Sequence, residues 1–61
     1  MKTSEIVRML RKGGCYISAH GAEHDEWCNP ATGAKVRVPR HQSKEIGTGL
    51  ANKILKTLLG Q

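Results

Sequence analysis

Three breaks rich in glycine and proline cut the middle of this chain into short pieces. Gly13-Gly14, Gly21-Ala22 and Asn29-Pro30-Ala31-Thr32-Gly33 each carry turn chemistry, and Pro39 closes the last piece. The segments between them, 15–20, 23–28 and 35–38, are strand-sized. Cys15, Ile17 and Ala19 alternate with Tyr16, Ser18 and His20, so the first set is expected to face a core and the second to face water. In the second segment Trp27 is the large apolar residue and is expected inside. The two-residue period then places Glu23 and Asp25 on its side, with His24, Glu26 and Cys28 opposite. Two acids on a core side are tolerable only at the sheet edge or beyond its cover. In the third segment Val36 and Val38 point in, and Lys35 and Arg37 point out.

The flanks read as helices. Thr3 or Ser4 is placed to cap a helix over 3–12, with Glu5 near its positive end and Arg11 and Lys12 near its negative end. Ile6, Val7, Met9 and Leu10 make one side of it apolar. After a polar connection over 40–47, Thr48 is a candidate cap for a second helix. Leu50, Ala51, Ile54, Leu55, Leu58 and Leu59 form its apolar stripe, and Gly60 closes it. Short turns make the three strands an antiparallel meander. The expected fold is therefore α+β in the order α-β-β-β-α, one domain over 1–61, with both helices on one sheet face and the other face open to water.

Sixty-one residues leave a thin core, since a chain of this size hides only about 60% of its unfolded surface. Function is expected on a surface rather than in a deep cavity. The net charge is +5, and it is one-sided. Through Ala34 the bases Lys2, Arg8, Arg11 and Lys12 balance the acids Glu5, Glu23, Asp25 and Glu26. Beyond it Lys35, Arg37, Arg40, Lys44, Lys53 and Lys56 meet only Glu45. Such asymmetry suits a polyanionic partner, nucleic acid above all. The sequence shows no secretory leader and no membrane-length apolar run, which points to the cytoplasm and to Cys15 and Cys28 as reduced thiols.

The open face is expected to gather Tyr16, Ser18, His20, His24, Glu26, Lys35 and Arg37. It thus offers an aromatic for stacking, cations for phosphate and imidazoles for proton transfer. His24 follows a glycine turn among three acids, and histidine is the residue type suited to proton transfer near neutral pH; on residue type alone it reads more readily as a solvated strand histidine. A zinc site from Cys15, His20, His24 and Cys28 is disfavoured, because Cys15 and His20 have opposite strand parity. No glycine-rich phosphate loop and no serine–histidine–acid arrangement is present.

Taken in order, Gly13-Gly14-Cys15-Tyr16, Gly21-Ala22-Glu23-His24-Asp25-Glu26-Trp27, Asn29-Pro30-Ala31-Thr32-Gly33, Val38-Pro39-Arg40-His41 and Ser43 through Gly60 resemble the HicA (YcfA-like) toxins of bacterial toxin–antitoxin pairs. Each piece is common; the ordered set is far more specific. The resemblance implies a fold like the double-stranded-RNA-binding domain. It also implies an mRNA interferase that uses no metal and no cofactor and is silenced by a HicB-type antitoxin. It implies that the histidine after the glycine turn, His24, is catalytic. Many members read Gly-Ser-His at this turn; here Gly21-Ala22-Glu23-His24 lacks the serine hydroxyl, while His24 keeps the usual distance to the aromatic at Trp27.

RNA carries its own nucleophile, the 2′-OH, so cleavage needs a base, an acid for the leaving 5′ oxygen, and positive charge on the phosphate. His24 is the expected base or acid, with Lys35, Arg37 and Arg40 on phosphates and Tyr16 on a base. His20 and His41 remain open as a second proton carrier, and Glu26 as a group orienting His24. The alternative is a non-catalytic RNA-binding module using the same face, in which loss of His24 barely affects binding.

Overall fold

The structure is a computed structural model and describes residues 1–60. It contains α1 (Thr3–Lys12), β1 (Tyr16–His20), β2 (His24–Cys28), β3 (Lys35–Pro39) and α2 (Thr48–Leu59). The strands pair antiparallel in the order β1-β2-β3, with β2 central. This is the expected α+β, α-β-β-β-α arrangement of a double-stranded-RNA-binding-domain-like fold.

Trp27, 2% exposed, lies at the centre of the covered sheet face. Ile17 and Val36 stand opposite it on the two flanking strands, so one apolar row crosses all three. Ile6, Val7 and Leu10 of α1 and Ala51, Ile54, Leu55 and Leu58 of α2 complete the core, joined by Ile46 from the connection before α2. The Arg11 guanidinium lies 5.2 Å from the centroid of the Trp27 ring and shields it from water.

Capping departs from the sequence expectation. Neither Thr3 nor Ser4 caps α1, because the helix already begins at Thr3 and Lys2 holds the cap position. The free N–H groups find distant carbonyls instead. Thr3 donates to Lys44 O at 2.9 Å and Ser4 to Gln42 O at 3.0 Å. Thr3 is fully buried, and its hydroxyl also donates to Lys44 O, at 3.0 Å. The connection over 41–46 is thereby fastened to the start of α1, and Ile46 is carried into the core. Thr48 likewise gives up the cap position of α2 to Gly47, which has no side chain to offer.

The helix ends follow the sequence more closely. Gly14 adopts φ 89° and releases the chain from α1 into β1. Gly60 takes φ 71° and its N–H donates to Lys56 O at 2.9 Å, ending α2. Leu50, expected in the apolar stripe, is 48% exposed, in a first turn of α2 that is exposed over residues 48–50. The turn over 29–33 is tied down at both ends. Asn29 Oδ1 accepts the Ala31 N–H at 2.9 Å, and Asn29 Nδ2 donates to Leu58 O at 2.6 Å, docking the β2–β3 turn on the end of α2.

Trp27→Ala removes the centre of the apolar row Ile17–Trp27–Val36 that crosses all three strands. A cost of about 3–5 kcal/mol is expected, comparable to all that the core of a chain this small supplies. Chemical denaturation should find the variant largely unfolded at room temperature.

Candidate functional site

The register of β1 against β2 decides which groups share a face. Ile17 pairs with Trp27, yet Ala19 pairs with Glu26, so Ser18 is an extra residue in a bulge. Strict alternation predicts Ala19 inside and His20 outside. The bulge reverses both, because it adds one residue to β1 without adding one to β2. Ala19 is exposed beside Glu26, and His20 stands opposite Asp25 on the helix side of the sheet.

Asp25 accounts for the reversal. It shares Trp27's parity and is only 8% exposed, at the edge of the core. A carboxylate there must be paired to be tolerated. The His20 Nδ1–H donates to Asp25 Oδ1 at 3.0 Å, and Arg40 Nε lies 3.4 Å from the same oxygen. Arg40 does more: its Nη1 donates to Gly21 O at 3.0 Å, and its backbone N–H donates to Glu23 O at 3.1 Å. Glu23, expected on the strand, lies instead in the turn and is exposed. The Gly21 N–H closes the hairpin on His24 O at 2.8 Å. His20, Asp25 and Arg40 thus form a clamp on the turn from which His24 emerges.

The opposite face is open. Across it run the rows Tyr16–Cys28–Lys35, Ala19–Glu26–Arg37 and His24–Pro39. Pro39 is the last residue of β3, one beyond the expected end at Val38, which an edge strand permits. His24, Lys35, Arg37 and Tyr16 are exposed, and Glu26 is half-buried. Glu26 Oε1 accepts the Ser18 hydroxyl at 2.9 Å, so the bulge also holds this carboxylate. A groove of about 320 Å³ runs over the end of the hairpin, bordered by His24, Glu26, Arg37, Glu23 and residues 19–22. Its lining carries two imidazoles, His20 and His24, two carboxylates, Glu23 and Glu26, and the Arg37 guanidinium.

A family model for the HicA toxin of bacterial toxin–antitoxin systems matches residues 3–58. The chain belongs to the HicA toxin family. Comparison with curated proteins and with solved structures returned no match. A HicA toxin is one half of a toxin–antitoxin pair, so this chain has an antitoxin partner.

Within this HicA toxin the sequence-predicted residues divide between two places. His24, Tyr16, Lys35 and Arg37 share the open face, as parity predicts. Arg40 does not join them; its guanidinium is engaged by Asp25 and Gly21 at the rim. His20 is turned to the Asp25 side, and His41 borders a separate hollow with Ala22 and Arg40. Ser18 was expected on the open face but given no role, and Asp25 was not a candidate. The one available signal for Asp25 was its inward parity, which demanded a partner that the sequence did not identify. Burial pushes the Cys15 thiol up, with Cys28 adding to the shift; both cysteines are free and buried. Among the described residues no three His, Cys, Asp or Glu side chains converge as metal ligands, and no helix is long and apolar enough to cross a membrane.

Gly21 is the tightest point of the turn. A Cβ there would stand 2.5 Å from His24 O, so Gly21→Ala must push the start of β2 away from β1. The expected cost is about 1–3 kcal/mol, measured by thermal or urea unfolding, together with a displaced His24 imidazole resonance in NMR spectra.

Proposed function

We propose that this HicA toxin is a metal-independent endoribonuclease that cleaves mRNA in the cytoplasm, with His24 moving a proton in the reaction. The observation that carries the reading is the position of His24. It is exposed at the mouth of a groove whose wall also holds Arg37, on a sheet face left free by both helices. Lys35 and Arg37 meet the phosphates flanking the scissile bond, and Tyr16, 50% exposed one row further, stacks a neighbouring base. Arg40 contributes charge at the rim, and since Asp25 already engages it, its share of phosphate binding is smaller than that of Arg37.

The chemistry suits these groups. The 2′-OH supplies the nucleophile, so the protein has to provide proton transfer and charge stabilisation rather than a nucleophile of its own. A surface groove is sufficient, because a single-stranded backbone can be drawn across it without a deep pocket.

The test is cleavage of a purified mRNA in EDTA by the wild type and by His24→Ala. The wild type should cut; the variant should cut about 10²–10⁴-fold more slowly while binding RNA with the same salt dependence, since its phosphate contacts are intact. Persistent cutting by His24→Ala would remove the histidine from the mechanism. Equal, salt-sensitive binding with no cutting by either protein would leave the face as an RNA-binding surface only.

Inhibition follows from the same geometry. A HicB-type antitoxin that lays an acidic surface over the open face would meet Lys35 and Arg37 and cover His24 together. RNA cleavage should vanish at saturation with the cognate antitoxin, and undiminished cleavage by the saturated complex would overturn this mode of control.

A further inference from the structure

Cleavage through the 2′-OH needs two proton carriers, and His24 supplies one. The other two imidazoles are engaged or placed elsewhere. His20 borders the same groove, but it stands opposite Asp25 and its Nδ1–H is held by that carboxylate, and His41 borders a different hollow. We infer that Glu26 is the second catalytic residue and the general base, leaving His24 as the general acid; this rests on the ribonuclease reading above.

Four observations support the assignment. Glu26 and His24 are two residues apart on β2, so both project to the open face about 7 Å apart along the strand, and both border the same groove. An in-line displacement needs its base and its acid on opposite sides of the phosphorus, and a phosphodiester laid along β2 between the two side chains meets that need. Glu26 is fixed: Ser18, the bulge residue, donates its hydroxyl to Oε1 at 2.9 Å and lies 3.2 Å from the Glu26 carbonyl oxygen. That leaves Oε2 free to accept a proton. Glu26 also stands in register with Arg37, yet among the described residues the two form no ion pair. The carboxylate is not neutralised, and the guanidinium remains available for a non-bridging phosphate oxygen. Glu23 borders the groove as well, but it lies in the turn and has no side-chain partner among the described residues to fix it.

The step balances without a further reactant. The Glu26 carboxylate takes the 2′-OH proton as the 2′ oxygen forms its bond to phosphorus. The bond from phosphorus to the 5′ oxygen breaks, and that oxygen takes a proton from the His24 imidazolium. The products are a 2′,3′-cyclic phosphate and a 5′-hydroxyl. Glu26 then gives its proton to water and His24 regains one from water. Arg37 stabilises the charge that gathers on the phosphorane oxygens.

The experiment uses an RNA cut at one mapped site, made with either the natural 5′ oxygen or a sulfur in its place. A sulfur leaving group departs without a proton, so it relieves the need for the acid but not for the base. On the oxygen substrate, Glu26→Gln and His24→Ala should each be slowed about 10²–10⁴-fold, and the wild type should leave a 2′,3′-cyclic phosphate. On the sulfur substrate, His24→Ala should recover to near the wild-type rate and Glu26→Gln should stay slow. Glutamine keeps the shape of the side chain and an oxygen for Ser18, and a matching thermal melt verifies the fold. Cleavage by Glu26→Gln within about threefold of the wild type, or its recovery on sulfur, overturns the assignment while leaving the ribonuclease reading intact. Absence of wild-type cleavage on both substrates removes both readings.

Discussion

Burial of Trp27 sets the parity of β2, and the other strands are arranged around that parity. The indole has the largest apolar surface in the chain, and only the helix-covered side of the sheet can accept it. Once it is placed, the two-residue period assigns its neighbours without further choice. Asp25 must point inward, and His24 and Glu26 must point out. His24 and Glu26 therefore reach the open face as a consequence of core packing. α1 and α2 complete the constraint by covering one face and leaving the other bare.

The inward acid is the cost of this arrangement, and the sheet is distorted to offset it. A carboxylate near the core needs donors. The extra residue at Ser18 shifts the end of β1 by one position and brings His20 opposite Asp25. Arg40 approaches from the end of β3 and joins Asp25 to the carbonyl of Gly21. One clamp therefore satisfies a buried charge and holds the turn that leads into His24. The same bulge serves the other face, where the Ser18 hydroxyl anchors Glu26. A regular β1 would set Ala19 rather than His20 opposite Asp25 and leave that carboxylate without its histidine.

Charge is sorted by the fold in a way that composition conceals. The sequence places three acids beside His24, which suggests a poor surface for an anion. The structure separates them. Asp25 is turned inward and paired, Glu23 is in the turn, and Glu26 alone shares the open face with Lys35 and Arg37. That face can meet a polyanion and still retain one carboxylate. A HicA toxin built this way has little interior, so what its open face presents is a few side chains held by strand register.

Much of the architecture was legible in the sequence because it depends on local signals. Glycine breaks, two-residue alternation and the apolar stripes of two amphipathic segments identify α1 over 3–12 and place three strands, with β1 and β2 each starting one residue later than expected and β3 ending one residue later. The exposure of His24, Tyr16, Lys35 and Arg37 follows from Trp27 and Val38 being inside. Other features depended on partners far along the chain, which no local pattern records. The start of α1 is satisfied by carbonyls of Gln42 and Lys44, so the expected side-chain caps are not used. Arg40 is drawn to Asp25 rather than left free on the basic face. The facing of His20 and Ala19 depends on a bulge, which exists only in the pairing of two strands. The sequence by itself determined the elements and the parity of β2, because these rest on periodicity and on one large apolar residue. Only the tertiary structure decided which histidine stands with which acid, because that depends on register between strands.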